Sequence, residues 1–256
     1  MAALEQLQNS GEHERSARIS VALTPWAAQS GRLDTAEGWL RSAAAATLPD
    51  RLAAEVTDSL GRLLHSAGRY EEALHPLLAA MRFWQNQGDV PMVGRAFGNL
   101  GNAYRRLGAL SDAERFCRRA VEIYRHQADV ARLCPALTNW AQVLGEMKRW
   151  ERAAEIQQEV LDLVTQGAEL PKRYINLAET LLHLGQSEDA LKAINAAMAL
   201  APPRDISAKA RTLEALLLES PSLNEAWIEC NSLGIATPFW KETRALIESK
   251  LDNSLR

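Results

Sequence analysis

A chain of 256 residues can hold one large domain or two small ones around a substantial core. Its 42 Ala and 37 Leu stand against 9 Val and 9 Ile, an apolar set rich in helix formers and poor in the β-branched residues that sheets favour, so the expected class is all-α. With 29 Lys and Arg against 32 Asp and Glu the net charge is −3, which argues against nucleic acid or an anionic membrane as the partner.

Residues 1–16 form a polar N-terminal segment with no apolar stretch of the signal-peptide kind. No later run approaches the roughly 18 uninterrupted apolar residues of a membrane span, so the expectation is a soluble, unprocessed chain. From residue 17 a pattern sets in. Its first copy reads Leu23-Thr24, Ala27, Gly31, Leu33, Ala36, Leu40 and Ala43, and its second Leu60-Gly61, Leu64, Gly68, Tyr70, Ala73, Leu77 and Ala80. The third is Leu100-Gly101, Tyr104, Gly108, Leu110, Ala113, Cys117 and Ala120. Trp140-Ala141, Leu144, Lys148, Trp150, Ala153, Gln157 and Val160 make the fourth. The fifth is Leu177-Ala178, Leu181, Gly185, Ser187, Ala190, Ile194 and Ala197, with Pro202 just beyond.

Each copy has helical spacing, a break at a turn residue, and helical spacing again, which describes two antiparallel helices. The alanines at 36, 73, 113, 153 and 190 mark places where two helices cross too closely for a larger side chain. One such hairpin cannot bury its apolar face, whereas a stack of them shares a continuous core. Two departures are expected to show. Pro25 lies where a helix interior should be, so the first unit is expected to kink or to begin its helix at Thr24-Pro25. In the fourth copy Lys148 replaces the turn glycine and Gln157 an apolar contact, which predicts a looser hairpin. Residues 204–256 read as a degenerate sixth hairpin and a last helix from Thr237-Pro238 to about Leu251, with Lys241, Glu242, Glu248 and Lys250 on a polar face, acting as an end cap.

These positions resemble those of tetratricopeptide repeat proteins over about Ser16 to Pro203. The roughly 40-residue period and the string Asn99-Leu100-Gly101-Asn102-Ala103-Tyr104 are similar to a longer-linker subclass, found in spindle-orientation adaptors, kinesin light chains and the sensor arms of maltose-type transcription regulators. The resemblance implies a right-handed α-solenoid of five hairpins over residues 17–203, closed by the capping helix.

No GxGxxG, GxxxxGK[ST], HExxH or GxSxG string occurs, and the five histidines share no spacing, so neither an enzyme nor a bound cofactor or metal is expected. Cys117, Cys134 and Cys230 are odd in number and scattered, as in a reducing compartment, and the cytoplasm is the expected location. The Ala- and Arg-rich, Lys-poor usage points to a GC-rich bacterial genome. The informative signal is a polar stripe on the first helices. Arg95, Asn99, Asn102 and Arg106 share one helix face, and the same register holds Glu55, Ser59, Arg62 and Ser66 before it. It holds Asn139, Gln142 and Glu146, then Lys172, Asn176, Glu179 and His183, after it.

In the family that this sequence resembles, the first helices line the concave surface and asparagines at this register hold the backbone of an extended peptide. An Asn amide supplies two donors and an acceptor and so can pair with a peptide group. The resemblance therefore implies peptide binding by Asn99, Asn102, Asn139, Gln142 and Asn176, with Arg62, Arg95, Arg106 and Lys172 selecting an acidic side chain or a terminal carboxylate. The same asparagines are also of a kind that caps or bridges helices, and both readings stand at this point. Arg115, Arg118 and Arg119, in an arginine-rich region from Arg95 to Arg132, are a second candidate surface, against which stands the ordinary solvated helix face with i,i+4 pairs. Phe83-Trp84 and Phe239-Trp240 lie off the repeat's core positions, either as seals or as exposed contacts. The functional expectation is an adaptor that binds a partner's extended segment, with a ligand- or peptide-sensing regulatory arm of a bacterial signalling or transcription system as the alternative. Partner identity and oligomeric state are not fixed by these residues.

Overall fold

The structure is a computed structural model and describes residues 11–164, 166–220, 222–233 and 240–254. Those residues form thirteen helices and no strand, an all-α helical-repeat solenoid. The chain divides into two compact units between Asp129 and Val130. In the first, α1 (His13–Gln29) pairs with α2 (Leu33–Ala44), α3 (Asp50–Ser66) with α4 (Tyr70–Gln87), and α5 (Val90–Arg106) with α6 (Leu110–His126). In the second, α7 (Val130–Glu146) pairs with α8 (Trp150–Leu163), α9 (Leu170–His183) with α10 (Ser187–Ala199), and α11 (Arg204–Leu217) with α12 (Leu223–Ser232). A last helix, α13 (Trp240–Ser254), follows.

The hairpin turns share one device. Gly68, Gly108 and Gly185 take φ of +77°, +76° and +72°, which glycine adopts at no steric cost. The next amide then reaches back to close the turn: Arg69 N–H donates to the Leu64 carbonyl at 2.9 Å, Ala109 to Tyr104 at 3.0 Å and Gln186 to Leu181 at 3.0 Å. Lys148 does the same with φ of +59°, and Arg149 N–H meets the Leu144 carbonyl at 2.8 Å. The fourth hairpin thus keeps the closing bond, and its departure from glycine is carried as backbone strain at Lys148.

The crossing positions behave as their size predicts. Ala36, Ala73, Ala113, Ala153 and Ala190 are all fully buried. At Gly61 an added Cβ would lie 2.7 Å from Leu77 Cγ, and at Gly101 it would lie 2.5 Å from Cys117 Sγ, both far inside van der Waals contact. Backbone-level approach in these two hairpins is therefore possible only without a side chain.

Pro25 corrects one expectation. α1 begins at His13 rather than at Thr24 and runs through the proline to Gln29. Nearby hydroxyls work on the same helix, with Thr24 Oγ1 donating to the Ser20 carbonyl at 2.7 Å and Ser20 Oγ to that of Ser16 at 2.9 Å. Pro76 and Pro135 likewise lie inside α4 and α7.

Among the aromatics, Phe97 and Trp140 are buried, and Phe116 stacks on Tyr104 with ring centres 5.4 Å apart. Trp84 is fully buried, with the Arg51 guanidinium 5.5 Å from its ring centre, so it seals the interior and offers no exposed contact. The expectations for Thr237-Pro238 and Phe239 lie outside the described residues, as do residues 1–10 and the side chains of Trp240, Lys241 and Glu242.

Candidate functional site

In the first unit the stripe is organised around a carboxylate that sequence reasoning missed. Asp58, on α3, is buried, and an unpaired charge there would be strongly disfavoured. Two guanidiniums meet it: Arg95 Nη2 from α5 lies 3.0 Å from Oδ2, and Arg62 Nε, one turn along α3, lies 3.3 Å away. The pair ties α3 to α5 and leaves one positive charge in excess. Asp58 shares its register with Gly98, Thr138 and Ile175 of the later copies, so it is the charged member of an otherwise small or apolar column. That contrast is the signal in the sequence that marks it.

Next to this cluster, Arg62, His65 and Ser66 of α3, Leu77 of α4, and Asn99 and Asn102 of α5 enclose a cavity of about 240 Å³. The stripe register thus brings Arg62, Asn99 and Asn102 together at one place, with His65 added. Among the described residues Asn99 Nδ2 and His65 Nε2 are buried without a hydrogen-bond partner, and Arg62 Nε has only its 3.3 Å ion-pair contact with Asp58. Burial, then the charges of Arg106 and Arg105, hold His65 below the usual histidine range, opposed by a hydrogen bond with the Asn102 backbone. Arg106 itself is exposed at the C-terminal end of α5.

In the second unit Asn139 is half-buried on α7. Gln142 and Asn176 meet at a small pocket shared with Thr138, Gln157, Val160 and Arg173. Here too polar atoms are left over, Gln157 Oε1 and Arg173 Nη1 being buried without a partner among the described residues. Lys172 stands exposed on the first turn of α9, 3.6 Å from Glu169. Asn99 belongs to the first unit and Asn139 and Asn176 to the second.

The stripe of the second unit is covered from Glu179 onward. Glu179 is fully buried, its Oε2 2.6 Å from Lys209 Nζ of α11, while Thr243 Oγ1 of α13 donates to its Oε1 at 2.8 Å. His183 Nε2 lies 3.1 Å from the same hydroxyl. Because that hydroxyl gives its one proton to Glu179, it accepts from the imidazole. The ring of His183 also stacks on Trp150, with centres 4.3 Å apart. Ile247 of α13 is buried in the cluster that contains Ile175, Leu213 and Trp227. The last helix therefore does more than an end cap would: it seats itself on stripe residues, and the open part of this unit's stripe runs only from Asn139 to Asn176.

The outer arginines of α6 are exposed and locally paired, Arg115 with Asp112 at 2.7 Å and Arg118 with Glu122 at 3.6 Å. No described helix is long and apolar enough to cross a membrane.

Two family models match the chain, both described as tetratricopeptide repeat, one over residues 50–126 and the other over residues 171–204. No curated protein matches it. Among solved structures it is similar to BtubC (BKLC) from P. vanneervenii, at 19% identity over 78% of this chain and 91% of that one, with a TM-score of 0.64. PilF of Pseudomonas aeruginosa is 15% identical over 93% of this chain and 98% of its own, also at 0.64. A signal transduction ATPase with numerous domains from Pyrococcus horikoshii, which carries a tetratricopeptide repeat sensor, matches at 16% identity and 0.72, over 98% of this chain and 40% of that one. At these identities the likeness is one of fold.

Proposed function

Since the chain is a tetratricopeptide repeat protein, we propose that it is an adaptor, which binds an extended segment of a partner protein along the polar stripe of its first helices and so assembles or regulates a complex. The observation that carries this reading is the unsatisfied polar lining of the stripe. Asn99 Nδ2 has no partner among the described residues although it is buried beside a cavity. A buried donor left unmade costs about 1–3 kcal/mol, a cost that a ligand carbonyl removes. Asn139 and Asn176 repeat the residue at the same register, half-buried, on α7 and α9. Exposed Arg106 and Lys172, with the excess charge of the Arg62 and Arg95 pair, favour an acidic segment. The recognition is by preformed grooves on rigid helices, so the ordering cost falls on the ligand. Three buried free cysteines suit a reducing compartment, and we place the adaptor in the cytoplasm.

A second reading, a ligand- or peptide-sensing regulatory arm, is supported by the 240 Å³ cavity and by the likeness in fold to part of the Pyrococcus horikoshii ATPase, which carries a repeat sensor. Asn139→Ala separates stripe binding from a structural role. In quantitative affinity capture it is expected to lose the partner by about tenfold, the worth of one or two hydrogen bonds, with an unchanged melting temperature. A melting temperature lowered by several degrees with capture intact would assign Asn139 to helix bridging instead.

A further inference from the structure

The cavity walled by α3, α4 and α5 has a composition that the peptide reading does not by itself explain. Of its two orphaned atoms, Asn99 Nδ2 is an obligate donor and His65 Nε2 becomes one when the ring is protonated, while the Arg62 guanidinium, paired with Asp58, brings positive charge to the same wall. A cavity of about 240 Å³ is too small for a folded element but holds a carboxylate or phosphate group with a few waters, each of which occupies about 30 Å³ in the liquid.

The charges that act on His65 itself are positive, and the nearby carboxylates are already paired with arginines. Arg105 and Arg106 act on it from α5, and Arg62 precedes it by one turn on α3. From α4 it meets the edge of the Tyr70 ring, with centres 5.2 Å apart, and at the turn Arg69 is held by Glu37 and Glu72. Asp58, the carboxylate of the cluster, is already shared by Arg62 and Arg95. Hydroxyl and amide groups complete the wall, Ser66 and Asn102. Donors and positive charge thus converge on a space where the described residues supply no acceptor for Asn99 Nδ2 or His65 Nε2.

We propose that this cavity is an oxyanion site, taking a carboxylate or phosphate group, and that its filling is coupled to proton uptake by His65. The proposal rests on the reading of the stripe as a binding surface and names the chemistry of its α3–α5 segment. In the free protein burial and the arginines disfavour the imidazolium of His65. A bound anion reverses that field, so the pKa of His65 is higher in the complex than in the free protein. By linkage the affinity for the anion then rises as pH falls through the bound-state pKa and levels off below the free-state one, at most tenfold per pH unit.

The test is an NMR titration of the His65 imidazole in the full chain, assigned with His65→Gln. It is run at matched ionic strength in sodium chloride, sodium phosphate, sodium succinate and a short acetylated peptide ending in two glutamates. At least one of the three oxyanion sources is expected to raise the His65 pKa by about half a unit or more over chloride. Arg62→Gln should abolish that rise while Arg62→Lys, which keeps the charge and guards against a mere folding defect, retains part of it. A response to phosphate or succinate assigns the site to a free anion, and a response to the peptide alone assigns it to the partner's acidic segment. A His65 that titrates identically in all four solutions, or shifts equally in Arg62→Gln, overturns the proposal. Asn139→Ala lies in the other unit, so loss of capture there without a shift at His65 sinks only the oxyanion site, and the reverse sinks only the peptide reading.

Discussion

Lys148 occupies a backbone region that costs a side-chain-bearing residue roughly 1–2 kcal/mol and that glycine enters freely. Since the hydrogen bond that closes its turn is already made, Lys148→Gly should raise stability by about 1 kcal/mol in denaturant titration, with the m-value unchanged. Gly101 is the opposite case. Gly101→Ala drives a methyl group into Cys117 Sγ and should cost about 1–3 kcal/mol, of which Cys117→Ala in the same chain recovers a part. The thiol there is inert, its pKa pushed up to about 12 by burial. Sequence spacing made both the glycine and the turn lysine legible, because their neighbours in the other copies fix what each position must do. Asp58 was not legible in the same way: a lone acid in an amphipathic helix looks solvated until the two guanidiniums that need it, Arg62 and Arg95, are seen on either side.

Helices α1 to α12 follow from apolar periodicity and turn residues; of the two expectations at Pro25, a kink or a helix start, the helix from His13 to Gln29 removes the start. What periodicity could not show is how α13 is used. Its polar side chains read as a solvated face, whereas Thr243 turns to Glu179 and anchors the helix on a buried ion pair with Lys209. Breaking one half of such a pair leaves the other charge buried, so Glu179→Gln should cost about 3–5 kcal/mol and lower the melting temperature by about 10 °C. Replacing both partners, Glu179→Leu with Lys209→Met, should cost far less by the same scan. Equal losses in the two variants would show that packing of α13, not the charge pair, holds this end together.

Over the whole molecule, the Ala and Leu excess that first indicates only helices has a specific use: alanine at the crossings, leucine in the seam between helices. The repeat therefore makes the fold legible and hides the function, since repeat positions are core positions and a binding surface is whatever polar residues remain. The remaining polar residues are Asn99 and Asn102 with Arg62 in the first unit and Asn139, Gln142 and Asn176 in the second. On the proposed function a partner lies on this stripe and not on the outer helices. Site-specific photo-crosslinking tests it most directly, with benzoylphenylalanine placed at Asn102, at Gln142, or at Arg118 on the outer face of α6. Partner crosslinks are expected from the positions of Asn102 and Gln142 and none from that of Arg118; crosslinks from Arg118 with none from the two stripe positions would overturn the stripe as the binding face.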